Sequence, residues 1–205
     1  YADFEIYPLL VADITSPAPQ CFDNNSFDFL AAGNFTSDAT FLWDFGNSAT
    51  PQTSAQQNPT GISFSNLGAS SVTLTITQYG CTDTFIGNGN VLTVTPPVAE
   101  IAPVNQYCVG YQIDFTNNST NSNSWNWDFG INNIVTDTSH LFEPNYIYPD
   151  SGIYNVTLIA YNQGICSDTA NLSFWVFPLL NPAIDGAEDQ CLEGMQDRQK
   201  VRLNL

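Results

Sequence analysis

The stretch "SSVTLTITQ" (70–78) alternates Val72, Leu74 and Ile76 with Thr73, Thr75 and Thr77. A period of two puts each set on its own face of an extended chain, so this stretch predicts a half-buried strand. "IYNVTLIAYN" (153–162) repeats the pattern, with Tyr154, Val156, Leu158 and Ala160 on one face. "FEIYP", "VLTVTP" and "FWVFP" each stop at a proline, which has no N–H to give a ladder. "GNGN" (87–90) predicts a hairpin turn ahead of "VLTVT". Strands every ten or so residues, divided by Gly, Pro, Asn and Ser clusters, predict an all-β chain of antiparallel sandwiches.

The pattern is written twice. Trp43-Asp44-Phe45-Gly46 returns as Trp127-Asp128-Phe129-Gly130, 84 residues on (127 − 43). A cysteine precedes each motif (Cys21, Cys108) and another follows it (Cys81, Cys166), at spans of 60 (81 − 21) and 58 (166 − 108). The junctions "FEIYPLLVADI", "LTVTPPVAEIA" and "FWVFPLLNPAI" are also versions of one another. A period of about 85 residues is too long for a solenoid and suits a small domain. The expected organisation is the last strand of a preceding repeat at 1–8 and complete repeats at 9–96 and 97–179. Residues 180–205 would open a third repeat or form a distinct tail. Cys191 falls 83 residues after Cys108 (191 − 108), where a third opening cysteine belongs, so the odd cysteine is read as a separated partner.

The motif has a structural reading. Two rings two residues apart share one face of a strand and bury together between sheets. Asp44 and Asp128 face the other way and can accept from amides of the following turn. Gly46 and Gly130 permit the positive φ such turns require.

Composition narrows the function. Residues 1–197 contain no Lys or Arg, and the whole chain has 20 acidic against 3 basic residues. Such a surface cannot neutralise phosphates, so nucleic acid and anionic membrane are poor partners, and neither nucleic-acid binding nor membrane insertion is expected. Asp23 and Asp28, among Asn neighbours, are weak candidates for oxygen-ligated Ca²⁺, with no twelve-residue calcium loop around them. No other cofactor is implied. The longest apolar run, "SFWVFPLL" (173–180), is far short of the roughly 20 residues a spanning helix needs. Paired cysteines point to an oxidising, extracellular compartment, and domains of this size usually close their own bridges, which predicts Cys21–Cys81 and Cys108–Cys166. A zinc site has neither the CxxC spacing nor more than the single His140.

"WDFG", followed by Gly-x-Tyr-x-Val-x-Leu and a "GCxDT"-like hairpin, resembles the polycystic-kidney-disease (PKD) repeat over residues 9–179. The cysteine-bearing form is similar to repeats in large surface proteins of gliding Bacteroidota, exported by type IX secretion. The resemblance implies tandem immunoglobulin-like sandwiches acting as spacer or adhesive modules. Two departures bear on it. The family's Trp-Asp-Phe-Gly-Asp-Gly continues here as Asn47-Ser48 and Ile131-Asn132, so the turn should be longer or differently bonded. Gly152-x-Tyr154-x-Val156 becomes Gly68-x-Ser70-x-Val72 in the first repeat, which lacks the corner tyrosine and is expected to be the less stable.

Catalytic signatures are missing. His140 stands alone in "DTSHLFEP", ubiquitous carboxylates carry no pairing information, and "GNGN" is not a phosphate loop. Without lysine in either repeat, Lys–Asn isopeptide bracing is excluded. Sequons at Asn34, Asn155 and Asn171 arise readily in an Asn/Thr-rich chain, and Asp168-Thr169-Ala170 is the better O-glycan candidate if the bacterial resemblance holds. The expectation is a non-catalytic extracellular array, a stalk or filament segment of an adhesin-like protein. Its partners would be neighbouring repeats or further copies of itself. The alternative is a carbohydrate- or protein-binding module using Tyr79, Phe85, Tyr107, Tyr111 and Trp125.

Overall fold

The computed structural model describes residues 6–131, 134 and 136–180, and every regular element among them is a strand. The first nine are β1 (Ala12–Thr15), β2 (Gln20–Cys21), β3 (Leu30–Gly33), β4 (Thr40–Asp44), β5 (Ala49–Thr50), β6 (Thr53–Ser54), β7 (Ser63–Phe64), β8 (Gly68–Gln78) and β9 (Cys81–Val94). Seven follow: β10 (Tyr107–Cys108), β11 (Gln112–Asp114), β12 (Ser124–Asp128), β13 (Thr138–Ser139), β14 (Asn145–Ile147), β15 (Gly152–Asn162) and β16 (Cys166–Phe177).

They build two sandwiches of immunoglobulin-like architecture. In the N-terminal one, a five-stranded sheet of order β2-β9-β8-β4-β6 faces a layer made of β1–β3, β5–β7 and the Phe27–Ile62 bridge. The C-terminal sheet has order β10-β16-β15-β12-β13 and faces β11–β14 with the bridges at Val98–Thr120 and Ile101–Asn117. Each sandwich has its own core, around Phe29, Trp43 and Leu74 in one and Phe115, Trp127 and Leu158 in the other.

Alternation builds the long strands. Val72, Leu74 and Ile76 are fully buried, while Thr75 and Thr77 on the outer face meet Thr84 and Thr82 across the strand at 3.2 and 3.1 Å. Both strands ending at "VLTVT" and "FWVF" stop before the following proline. The turn between β8 and β9 lies at Tyr79 and Gly80, both at positive φ, which suits a two-residue hairpin. "GNGN" therefore forms no hairpin. It sits inside β9, where the register slips between Ser70 and Val72 and the Gly89 N–H donates to Ser71 Oγ. The same Gly-rich chemistry makes a bulge here because β9 continues pairing with β8 on both sides of it.

One feature departs from antiparallel pairing. β2 runs parallel to the end of β9 (Gln20↔Thr93, Cys21↔Val94), and β10 runs parallel to the end of β16 (Tyr107↔Val176, Cys108↔Phe177). This edge puts each opening cysteine at the pole where its sandwich ends. Cys81 begins β9, thirteen residues from Val94 (94 − 81), so it lies roughly 40 Å from Cys21 at the ordinary strand rise. Bridging two Cys needs Cα atoms within about 7 Å, so Cys21–Cys81 cannot close, and Cys108–Cys166 fails for the same reason. The expected pairings are corrected: Cys21 bridges Cys166, across the two sandwiches, with Cα atoms 5.1 Å apart. Among the described residues Cys81 and Cys108 are free thiols. Residues 1–5 and 181–205, and with them Cys191 and most of the expected third repeat, lie outside the described residues.

Candidate functional site

The bridge makes the junction between the two sandwiches the candidate site. Cys166 opens β16 directly after the turn at Gln163 and Gly164, so the hairpin tip carries it out to the neighbouring sandwich. Cys21 waits on the parallel edge, and the next residue, Phe22, donates its N–H to the Val94 carbonyl at 2.9 Å. Cys166 Sγ lies 3.3 Å from that same carbonyl, a contact and not a hydrogen bond, since a bridged sulfur carries no proton.

Two polar latches flank the bridge. Asn162 Nδ2 donates to the Thr95 carbonyl at 2.8 Å, and Asp168 Oδ2 accepts from the Ala99 N–H at 2.8 Å. The hairpin of the C-terminal sandwich thus holds the exit and entry of the connecting segment "TPPVA". The N-terminal sandwich has a matching contact. Asp83, two residues after Cys81, accepts from the Ala12 N–H at 2.7 Å, and Tyr7 stacks on Tyr79 with ring centroids 4.3 Å apart.

The motif residues occupy the two cores. Trp43 and Phe45 are fully buried and stack at 5.7 Å, while Trp127 and Phe129 both pack on Phe115. Indole N–H groups donate to Gln56 and Leu141 carbonyls. Asp44 and Asp128 accept from the Gly46 and Gly130 N–H groups at 2.9 and 2.8 Å, and both glycines have positive φ, +80° and +78°. The turns then diverge. Ala49 N–H returns to the Gly46 carbonyl, whereas Ile131 N–H is taken by the buried Asp137 carboxylate at 2.7 Å. Behind Phe129, the Tyr148 hydroxyl donates to the Phe129 carbonyl at 2.9 Å, and burial pushes this phenol far above its ordinary pKa. Tyr154 donates to the Asp150 carbonyl at 2.9 Å, while Ser70 at the corresponding place bonds Asn66.

The other candidates scatter. Asp23 is exposed, and Asp28 accepts from the Gly61 N–H at 3.0 Å. Among the described residues no three His, Cys, Asp or Glu side chains gather where a metal could be held. Phe85, Tyr107 and Trp125 pack against the cores, with Trp125 also bonded to Ser122 and edge-on to Phe142. Tyr79 and Tyr111 are exposed, but Tyr79 is engaged by Tyr7 and by Asp38. His140 is exposed, its Nδ1 3.1 Å from the Trp125 carbonyl. The Asn34 amide donates from Nδ2 to the Leu9 carbonyl and accepts at Oδ1 from the Val11 N–H, both at 2.6 Å. Sequence reasoning missed an exposed pair, Trp175 and Phe177, stacked on one face of β16 at 6.2 Å; they lie in the longest apolar run, which carries no polar alternation to show which rings face out. It also missed the bridge. A usable signal was present, because each hairpin cysteine lies a full strand length before its own exit proline.

The class is therefore an immunoglobulin-like β-sandwich module, with the residues that join one sandwich to the next as its distinctive site. Residues 94–176 match a family model described as a PKD domain. Among solved structures it is similar to the PKD1 domain of Vibrio anguillarum Epp, at 23% identity over 41% of this chain and 96% of that one (TM-score 0.34). It is similar also to the PKD1 domain from the Vibrio cholerae metalloprotease PrtV, at 30% identity over 40% and 98% (TM-score 0.33). Fibronectin(III)-like modules of Clostridium thermocellum CbhA align over 82% of this chain and 95% of theirs, at 14% identity and TM-score 0.45. No curated protein matches the chain. No helix among the described residues is long and apolar enough to cross a membrane.

Proposed function

We propose that the chain is a non-catalytic structural segment of an extracellular array, a stalk or filament in which the N-terminal sandwich is a second PKD-type unit set in tandem with the first. The observation that carries this reading is the Cys21–Cys166 bridge, which ties consecutive units to each other. A bridge between units limits how they hinge and separate, which is what a load-bearing spacer needs. The Asn162 and Asp168 latches act on the same segment, and Pro96 and Pro97 stiffen it. The bridge supports an oxidising location outside the cell. Same-sign units repel one another, and that keeps an array extended and soluble. Surface display on a gliding bacterium through type IX secretion, with an adhesive tip elsewhere, completes the proposal.

Sedimentation and small-angle scattering of the oxidised and the reduced chain test it. The expected result is an elongated particle whose scattering fits one rigid shape when oxidised and a broader ensemble when reduced. Identical profiles in the two states would remove the mechanical role of the bridge.

A second reading, a binding module, rests on the exposed Trp175–Phe177 stack, whose paired rings could lie against sugar faces. Pull-down on insoluble glycans with Trp175→Ala and Tyr111→Ala decides it: retention lost in Trp175→Ala supports binding, and no retention of the parent chain rejects it.

A further inference from the structure

Each sandwich has one cysteine at either pole, and the structure joins only the inner two. The outer two are placed as the inner two are. Cys108 sits on a two-residue strand parallel to the end of β16, opposite Phe177, as Cys21 sits opposite Val94. The residue after it, Val109, donates its N–H to the Phe177 carbonyl at 2.8 Å, matching Phe22 and Val94 at 2.9 Å. At the other pole, Cys81 opens β9 after a hairpin turn as Cys166 opens β16, and it is exposed. Asp83 holds Ala12 as Asp168 holds Ala99. Counted back five residues from Ala12 and from Ala99, Tyr7 takes the place of Val94, and a mostly apolar cleft of about 250 Å³ opens beside Cys81 between Tyr7, Pro8, Leu10, Asn34 and Tyr79.

We propose that Cys81 and Cys108 are the two open halves of a repeating inter-unit bridge, each pairing with the complementary cysteine of a neighbouring copy of this unit. Cys108 takes a hairpin cysteine equivalent to Cys166, and Cys81 takes an opening cysteine equivalent to Cys21. The inference rests on the tandem reading above and extends it from one junction to every junction. Forming the bond oxidises two thiols. A small disulfide of the glutathione class accepts the two electrons and both protons and leaves as two thiols, by exchange through a mixed disulfide.

Spacing supports the pairing rule. If residues 9–178 are written twice in register, the second Cys81 follows the first Cys108 by 143 positions (81 + 170 − 108). The observed bridge spans 145.

The test uses full-length Cys108→Ser/Cys191→Ser, with Cys81 free, mixed in equal amount with Cys81→Ser/Cys191→Ser, with Cys108 free. After equilibration in a glutathione redox buffer, peptide mapping under non-reducing conditions reads every bridge. A parallel arm equilibrates the head-to-tail duplicate and distinguishes a neighbour in the same polypeptide from a second chain. The expected result is a Cys81–Cys108 bridge in at least one arm: a several-fold excess over the like pairs in the mixture, or the dominant new bridge in the duplicate. Random pairing in the mixture together with a free first-copy Cys108 and a free second-copy Cys81 in the duplicate overturns the inference, as does Cys81 bridged to Cys21. Loss of Cys21–Cys166 from the oxidised parent chain would instead overturn the tandem reading itself, so the two failures are distinguishable.

Discussion

A chain with no lysine or arginine before Arg198 has to satisfy its carboxylates without cations, and the structure shows how. Asp13, Asp28, Asp44, Asp83, Asp128, Asp137 and Asp168 each accept from a backbone N–H, the charge-assisted bond that costs no counter-ion. The roles of Asp44 and Asp128 were readable in sequence because acceptor and donor are two residues apart. Those of Asp83 and Asp168 were not, since their partners lie 71 and 69 residues away. The two motif glycines give a sharp residue-level prediction. A Cβ on Gly46 meets nothing within 4 Å, so Gly46→Ala costs only its left-handed backbone, roughly 1–2 kcal/mol. A Cβ on Gly130 would stand 2.3 Å from the Asn155 carbonyl oxygen, adding a backbone overlap to the same strain. Gly130→Ala is expected to cost about 3 kcal/mol or more, read as a lower urea midpoint for the C-terminal sandwich.

At the scale of elements, alternation located the long strands and their proline stops, because a half-buried strand writes its burial into every second residue. The short strands β2 and β10 are two residues long and carry no such pattern. Their parallel pairing was invisible for that reason, and the cysteine error followed from it: a uniform repeat makes pairing within and between units equally regular in sequence. The tyrosine cluster around β14 and β15 belongs to this scale as well. Burial raises the phenol pKa values of Tyr146, Tyr148 and Tyr154, with Asp137, Tyr146 and Asp150 adding repulsion. A raised folded-state pKa means the folded chain holds protons that the unfolded chain releases. The stability linked to these groups is therefore whole below about pH 10 and is lost as pH rises beyond it. Thermal melts of the thiol-blocked chain should show the C-terminal sandwich weakening above about pH 10, with Tyr148→Phe reducing that slope. At neutral pH Tyr148→Phe leaves the buried Phe129 carbonyl unpaired and is expected to cost about 1–3 kcal/mol.

At the scale of the whole molecule, connectivity decides what a pulling force can reach. Bridges closed within each unit would shield two loops and leave the 27 residues from Cys81 to Cys108 (108 − 81) free to pay out between them. The observed bridge encloses that junction. Pulled from its termini, the oxidised chain can extend only outside Cys21–Cys166, and the 145 residues inside stay hidden, roughly 500 Å of contour at full extension. Force spectroscopy on the Cys81→Ser/Cys108→Ser chain isolates this bridge. The expected record shows short extension when oxidised and a gain of roughly 500 Å after reductant is added. A gain of that size with Cys166→Ser already present, before reduction, would confirm that this single bond is the stop. Equal extension in both redox states would mean the bridge is not formed. Applied to an array, the pairing rule makes successive loops overlap, since Cys108 lies inside the Cys21–Cys166 loop while its own partner lies beyond Cys166. No connecting segment then falls outside a bridge, and such a stalk could lose the fold of one unit under load without growing longer at that junction.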